Sequence, residues 1–230
     1  MRAHTAHDRR TPWQPYEQPY QWEQTHPVHG DMIGVLRGLL RHARLPWLLR
    51  HHERTPVLAA FAFLSGCICF GAVSLLAAVT GRPLVFPSLG PTAFLFFYRP
   101  TAPSAAPRNA VVGHAIGIAA GYFCLVITGL THAGPALSQG VTLPRVIAAT
   151  LSLSLTNGLM VLLHSPHPPA GATTLIVSLG LLTTLPDLGL LMGSVILLTA
   201  LASLINRLAG VPYPLWTARQ DLAARGKRLW

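Results

Sequence analysis
Between residues 57 and 208 the chain has no glutamate and no lysine, and its only aspartate there is Asp187, near a segment end. Cation sites and proton relays inside membranes normally use buried carboxylates, so both chemistries have almost nothing to work with. Charged residues make up only 10% of the 230, against about 25% in an ordinary soluble domain. Cysteine is nearly as scarce. Cys67, Cys69 and Cys124 sit inside apolar segments and form no Cys-x-x-Cys pair, so they are expected as small hydrophobes, with neither disulfide nor metal. The first fifty residues contain no apolar core of the kind a signal peptide needs, and no cleavage is expected there.

What is abundant is apolar: 51% of the residues are hydrophobic, which marks a polytopic membrane protein. The net charge of +10 comes from basic residues in the tails and in short loops that flank apolar runs. Nucleic-acid binding needs basic residues gathered on one exposed face, so no nucleic-acid partner is expected.

Residues 1–31, rich in proline, glutamine and histidine, are expected as a disordered polar arm. In 32–54, Ile33, Leu36, Leu40, Ala43 and Trp47 recur at helical spacing beside Arg37, Arg41 and Arg44. That pattern predicts an amphipathic helix lying in the membrane interface. A membrane domain then covers 55–208, with long apolar runs at 57–80, 110–131, 144–164 and 188–208, each near the roughly 20 residues that span hydrocarbon. Shorter runs at 88–98 and 171–185 lie between them, and residues 209–230 form a basic tail.

The short runs decide the topology. If both cross, there are six passages and inverted halves; if both are re-entrant, there are four. Arginine favours the cytoplasmic side. Six passages with both termini inside leave only Arg82 and Arg145 outside, whereas four would also move Arg99 and Arg108 outward. Six are therefore expected, in what is anticipated to be a bacterial inner (plasma) membrane.

Both short runs open with the same punctuation, Pro-x-x-Gly-x-Thr: Pro87-Ser88-Leu89-Gly90-Pro91-Thr92 and Pro168-Pro169-Ala170-Gly171-Ala172-Thr173, 81 residues apart. Each is followed by a long run with glycine at four-residue spacing, Gly113, Gly117 and Gly121 in one half and Gly189 and Gly193 in the other. Small residues at that spacing let membrane helices approach closely, within the chain or between copies in a homo-oligomer. The expected fold is all-α: a helix bundle of two duplicated halves, about 57–131 and about 144–208, each ordered long helix, short broken helix, long helix.

A helix that starts inside a membrane presents its first N–H groups and the positive end of its dipole, which attract anions. Paired broken helices in corresponding halves are also the sequence signature of a transport site. Gly90 and Gly171 permit close backbone approach, and Thr92 and Thr173 offer hydroxyls. Other polar groups in the apolar region are cationic or neutral: Arg108, Asn109, His114, Ser152, Thr156, Asn157, His164 and His167.

Two motifs carry a resemblance to a known family. Pro107-Arg108-Asn109 with Gly113-His114, followed by His167-Pro168-Pro169-Ala170-Gly171-Ala172-Thr173, resembles the HPP family of integral membrane proteins, named for its His-Pro-Pro motif. The resemblance covers roughly 57–208. Its chloroplast and cyanobacterial members are associated with nitrite transport, which implies a permease for a small inorganic anion. The family is usually described as four-spanning.

The expected function is therefore a non-enzymatic membrane permease for a small monovalent, nitrite-like anion, without cofactor or metal. Its expected substrate-binding residues are Gly90, Thr92, Arg108, Asn109, His114, Asn157, His167, Gly171 and Thr173, with Arg108 drawing the anion in and His114 and His167 guiding it. Histidine titrates near neutrality and could couple a proton to the anion. One rival is a membrane scaffold; another is an enzyme with His114, His164 and His167 around a metal such as zinc.

Overall fold
A computed structural model describes residues 44–218. The expected polar arm at 1–31, residues 32–43 of the expected interfacial helix and residues 219–230 of the expected basic tail lie outside the described residues. The chain is helical: α1 (Leu45–His51), α2 (Arg54–Thr80), α3 (Leu89–Tyr98), a 3-10 turn (Pro103–Ala105), α4 (Pro107–Ile127), α5 (Ala136–Gln139), α6 (Leu143–Leu162), α7 (Ala170–Ser178) and α8 (Leu185–Leu208). In the described part of the 32–54 segment α1 stops at His51, His52 takes extended backbone and Arg54 already begins α2. Four helices, α1, α4, α6 and α8, carry proline at their first or second position, where its missing N–H is one of those a helix leaves unpaired anyway.

By length and composition α2, α4, α6 and α8 can each cross a membrane. The short helices cannot do so alone: ten residues rise about 15 Å, half of a hydrocarbon core of about 30 Å. Their surroundings show where they run. Leu45 N donates to Ala209 O at 3.0 Å and Arg108 N to Trp216 O at 3.0 Å, while the Arg108 guanidinium reaches the carbonyls of Leu163 and His164. One end of the bundle therefore gathers α1, the start of α4 and the finishes of α6 and α8. At the other end Ala136 N donates to Leu179 O at 2.9 Å, and Arg145 donates to Ser178 O and Gly134 O at 3.1 and 2.8 Å.

Against this frame α7 lies along α4 in the same direction. A Cβ added at Gly113, Gly117 or Gly121 would come within 2.8 Å of His167, Ala170 or Val177 respectively, so these glycines let the two backbones touch. The chain leaves α6 at one end, turns through the prolines, and finishes α7 at the other. In the first half the pattern is reversed: an extended lead carries the buried Leu84 and Phe86 inward, and α3 then rises to where Asn206 Nδ2 of α8 donates to Phe96 O at 3.1 Å. The two short helices thus start inside the bundle and finish at opposite ends.

The core centres on Leu89, Phe96, Phe97, Leu191, Val195 and Leu198. Phe63, Leu75 and Val79 of α2 are 66 to 77% exposed, an apolar surface of the kind that lipid or a partner covers.

Candidate functional site
The starts of α3 and α7 meet in a buried polar cluster. Thr92, one turn into α3, places Oγ1 3.0 Å from His114 Nε2 and 3.3 Å from His167 Nε2. The opposite nitrogen of His114, Nδ1, is 2.7 Å from Thr173 Oγ1 on α7. A single imidazole from α4 therefore joins the threonines of the two Pro-x-x-Gly-x-Thr copies. His167 Nδ1 is 2.8 Å from Ser104 O in the 3-10 turn, and the His114 and His167 ring centroids are 5.0 Å apart. Thr92, His114, His167 and Thr173 are all fully buried.

Local sequence explains the arrangement. Gly113, next to His114, allows His167 against α4, where a Cβ would stand 2.8 Å from the His167 Cβ. Pro168 and Pro169 terminate the passage from α6 and hand the chain to α7 within a turn. Thr92 also donates to Ser88 O at 2.8 Å, so its hydroxyl serves its own backbone and the imidazoles together.

Neither short helix is capped by a side chain at its start. The expected free amides are nonetheless spent at α7: the N–H groups of Ala170, Gly171 and Ala172 donate to the carbonyls of His167, Pro168 and Pro169. Polar side chains, not a row of α7 amides, face the cluster. One further buried polar residue adjoins it through its backbone carbonyl, which accepts from Thr92, and was not among the expected ones. Ser88, before α3, is fully buried, and its Oγ has no hydrogen-bond partner. A hydroxyl has no signature of its own in an apolar run; the one available clue was its position inside the repeated motif.

The remaining expected residues divide. Asn109 is buried beside the cluster's support, donating to Pro103 O at 2.9 Å and accepting from Arg108. Arg108 is only partly buried, and its guanidinium is committed to Asn109, Ser165 and the α6 carbonyls. It ties α4 to the end of α6 rather than standing open at a vestibule mouth. Asn157 is exposed on α6 and is not brought to the cluster; the buried polar residue next to it is Thr156, whose hydroxyl meets that of Thr174 at 2.8 Å. Gly171 has only a Leu153 methyl near a potential Cβ, at 3.3 Å, and Gly90 has nothing within 4 Å. Packing within the chain demands glycine at neither position.

His164 is exposed in the turn after α6 with φ +50°, so it does not join His114 and His167 as a third metal ligand. Tyr213 closes the cluster's support from the tail: its O–H donates to Ala105 O at 2.6 Å, and burial pushes the hydroxyl above its ordinary range, keeping it a donor. Two cavities open elsewhere. The larger, about 610 Å³, lies at the α5 end and is lined by Tyr122, Thr131, His132 and Thr184 among others; the second runs between α4 and α8 beside Ala115 and Gly189.

A family model described as "HPP, transmembrane region" matches residues 51–214. A transmembrane protein of Dictyostelium discoideum is 33% identical over 93 residues, 40% of this chain and 29% of that protein. The aligned part is thus under a third of that relative's length. No solved structure matches.

Proposed function
The chain belongs to the HPP transmembrane family, and from that premise we propose that it is a permease for a small monovalent anion, nitrite-like in size, held where the starts of α3 and α7 converge. The observation that carries the reading is the bridge Thr92–His114–Thr173, which brings the two copies of a repeated motif to one imidazole. Two further features support it. Ser88 Oγ is a buried hydroxyl with no partner, and no carboxylate other than Asp187 lies between residues 57 and 208 to repel an anion.

The proposed path has six passages, with the halves oppositely directed and both termini cytoplasmic. Arg44, Arg50, Arg54, Arg99, Arg108 and Arg207 then lie on the inner side and Arg82 and Arg145 on the outer, in accord with the positive-inside bias. A bacterial inner membrane is the proposed location. Catalysis and a cofactor have no part in this reading. Gly113, Gly117 and Gly121 are used within the chain, so a homo-oligomer through glycine faces would use Gly189 and Gly193, beside which a Cβ has open space.

The cluster's full burial favours one alternative, a scaffold in which the same bonds only hold the helices together. Uptake of nitrite, nitrate, formate and chloride into proteoliposomes separates the two readings. Uptake faster than in protein-free vesicles for at least one anion is expected; equal uptake for all four removes the permease.

A further inference from the structure
The hydrogen bonds of the cluster can be counted against its protons. Five contacts have hydrogen-bond length: His167 Nδ1 to Ser104 O (2.8 Å), His167 Nε2 to Thr92 Oγ1 (3.3 Å), Thr92 Oγ1 to Ser88 O (2.8 Å), Thr92 Oγ1 to His114 Nε2 (3.0 Å) and His114 Nδ1 to Thr173 Oγ1 (2.7 Å). Each needs one hydrogen. Two neutral imidazoles and two threonine hydroxyls supply four between them. A carbonyl only accepts, so His167 must spend its single hydrogen on Ser104, and its Nε2 then presents a lone pair to Thr92. Thr92 in turn has one hydrogen and two acceptors, Ser88 O and His167 Nε2.

A fifth proton, on His167 Nε2, resolves the shortage without moving an atom. His167 then donates to both Ser104 O and Thr92 Oγ1, His114 Nε2–H donates to Thr92, Thr92 donates to Ser88, and Thr173 donates to His114 Nδ1. The Thr92 oxygen uses both lone pairs and its hydrogen, and all five contacts are satisfied.

That proton brings a positive charge into a site without a counter-ion. α3 carries no charged side chain near it; Phe96 tilts against the His167 ring with centroids 6.3 Å apart. On α4 the titratable groups are His114 itself, Arg108, a further cation, and Tyr122 and Cys124 two or more turns beyond His114. The stretch that packs α7 against them, Ala170–Ser178, contains no ionisable residue. Behind Phe96 stands Tyr213, neutral and bonded to Ala105 O. On α8, Arg207 is bonded to Pro214 O and Asp187 is paired with Thr184 at the far start of the helix. A buried charge without a partner is costly, so the fifth proton is retained only when a negative charge arrives with it.

Building on the anion-permease reading, we infer that His167 binds one proton together with each monovalent anion, so that transport through the Thr92 cluster is electroneutral proton–anion symport. One proton and one anion are taken from the same side, and both are released on the other; no bond other than N–H forms or breaks.

Proteoliposomes holding the full chain and an internal pH-sensitive dye test this, with nitrate and nitrite as probes and the membrane potential clamped by potassium and valinomycin. One proton should enter per anion, with influx following an inward proton gradient and indifferent to the clamped potential. His167→Gln should abolish the acidification. Anion influx without acidification, driven by the potential, would overturn the symport and leave the permease standing. Absence of influx for both probes would overturn the symport of these anions, and the permease falls with it only if formate and chloride also fail to enter. Should the variant fail to fold, titration calorimetry of the wild-type chain with nitrite in two buffers of different ionisation enthalpy supplies the second measurement. One proton taken up per bound nitrite is expected, and binding without proton uptake overturns the inference.

Discussion

Thr92 and Thr173, 81 residues apart in the chain, stand 3.0 and 2.7 Å from opposite nitrogens of the same imidazole, His114. Two copies of one short motif thus converge on a group that neither contains. The first proline of each copy precedes the start of its short helix inside the bundle, and the threonine one turn later is what each half presents there.

Removing the bridge should be felt in the fold. His114→Ala leaves the buried Thr173 hydroxyl without its partner, which costs about 1–3 kcal/mol, while Thr92 keeps its bond to Ser88 O. Thermal unfolding in detergent should show a clear loss of stability, and His114→Gln, which can meet one threonine, should recover part of it.

Ser88→Ala separates function from folding. Its hydroxyl makes no bond in the folded chain, so the variant should melt no lower than wild type, because an unsatisfied buried hydroxyl carries a cost that alanine does not. Anion uptake should nevertheless fall. Unchanged uptake would mean that Ser88 does not donate to the anion.

The glycine faces should respond unequally to an added methyl group. Gly117→Ala drives a Cβ to 2.8 Å from the Ala170 carbonyl, which overpacks the α4–α7 contact and should cost about 1–3 kcal/mol. Gly189→Ala meets nothing within 4 Å and should be neutral or stabilising by up to about 1 kcal/mol through helix propensity. Melting curves of the two variants provide the comparison.

Arg108 is expected to act through geometry as much as charge. Its two terminal nitrogens reach Asn109, Ser165 and two carbonyls at the end of α6. Arg108→Lys keeps the charge and loses the fork. Both Arg108→Ala and Arg108→Lys should lower stability and flux, the alanine variant more; a lysine variant equal to wild type in melting would refute the bracing role.

Asn157 is exposed on α6, and Asn157→Ala should leave anion uptake unchanged in the same vesicle assay.

Much was legible before any coordinates. The four long apolar runs appear as α2, α4, α6 and α8 within a few residues of their expected limits, because some 20 apolar residues in a row allow little else. The short helices fall where the repeated punctuation put them, since proline removes an N–H and blocks the helix before it. Arg108 and Asn157 were less legible. Sequence spacing gives the face of a helix on which a residue lies, but not whether that face meets lipid, another helix or a loop carbonyl.

By itself the sequence determined the membrane class, the number and order of the long helices and the twofold motif, all of which follow from local composition and from backbone groups that each segment must satisfy within itself. Only the tertiary structure decided which polar groups meet. Thr92, Ser104, His114 and the motif from His167 to Thr173 belong to four separate stretches, and contact among them depends on α7 lying against the glycines of α4. Hydrogen bonds act over about 3 Å, and no spacing along a chain fixes a distance that small between helices.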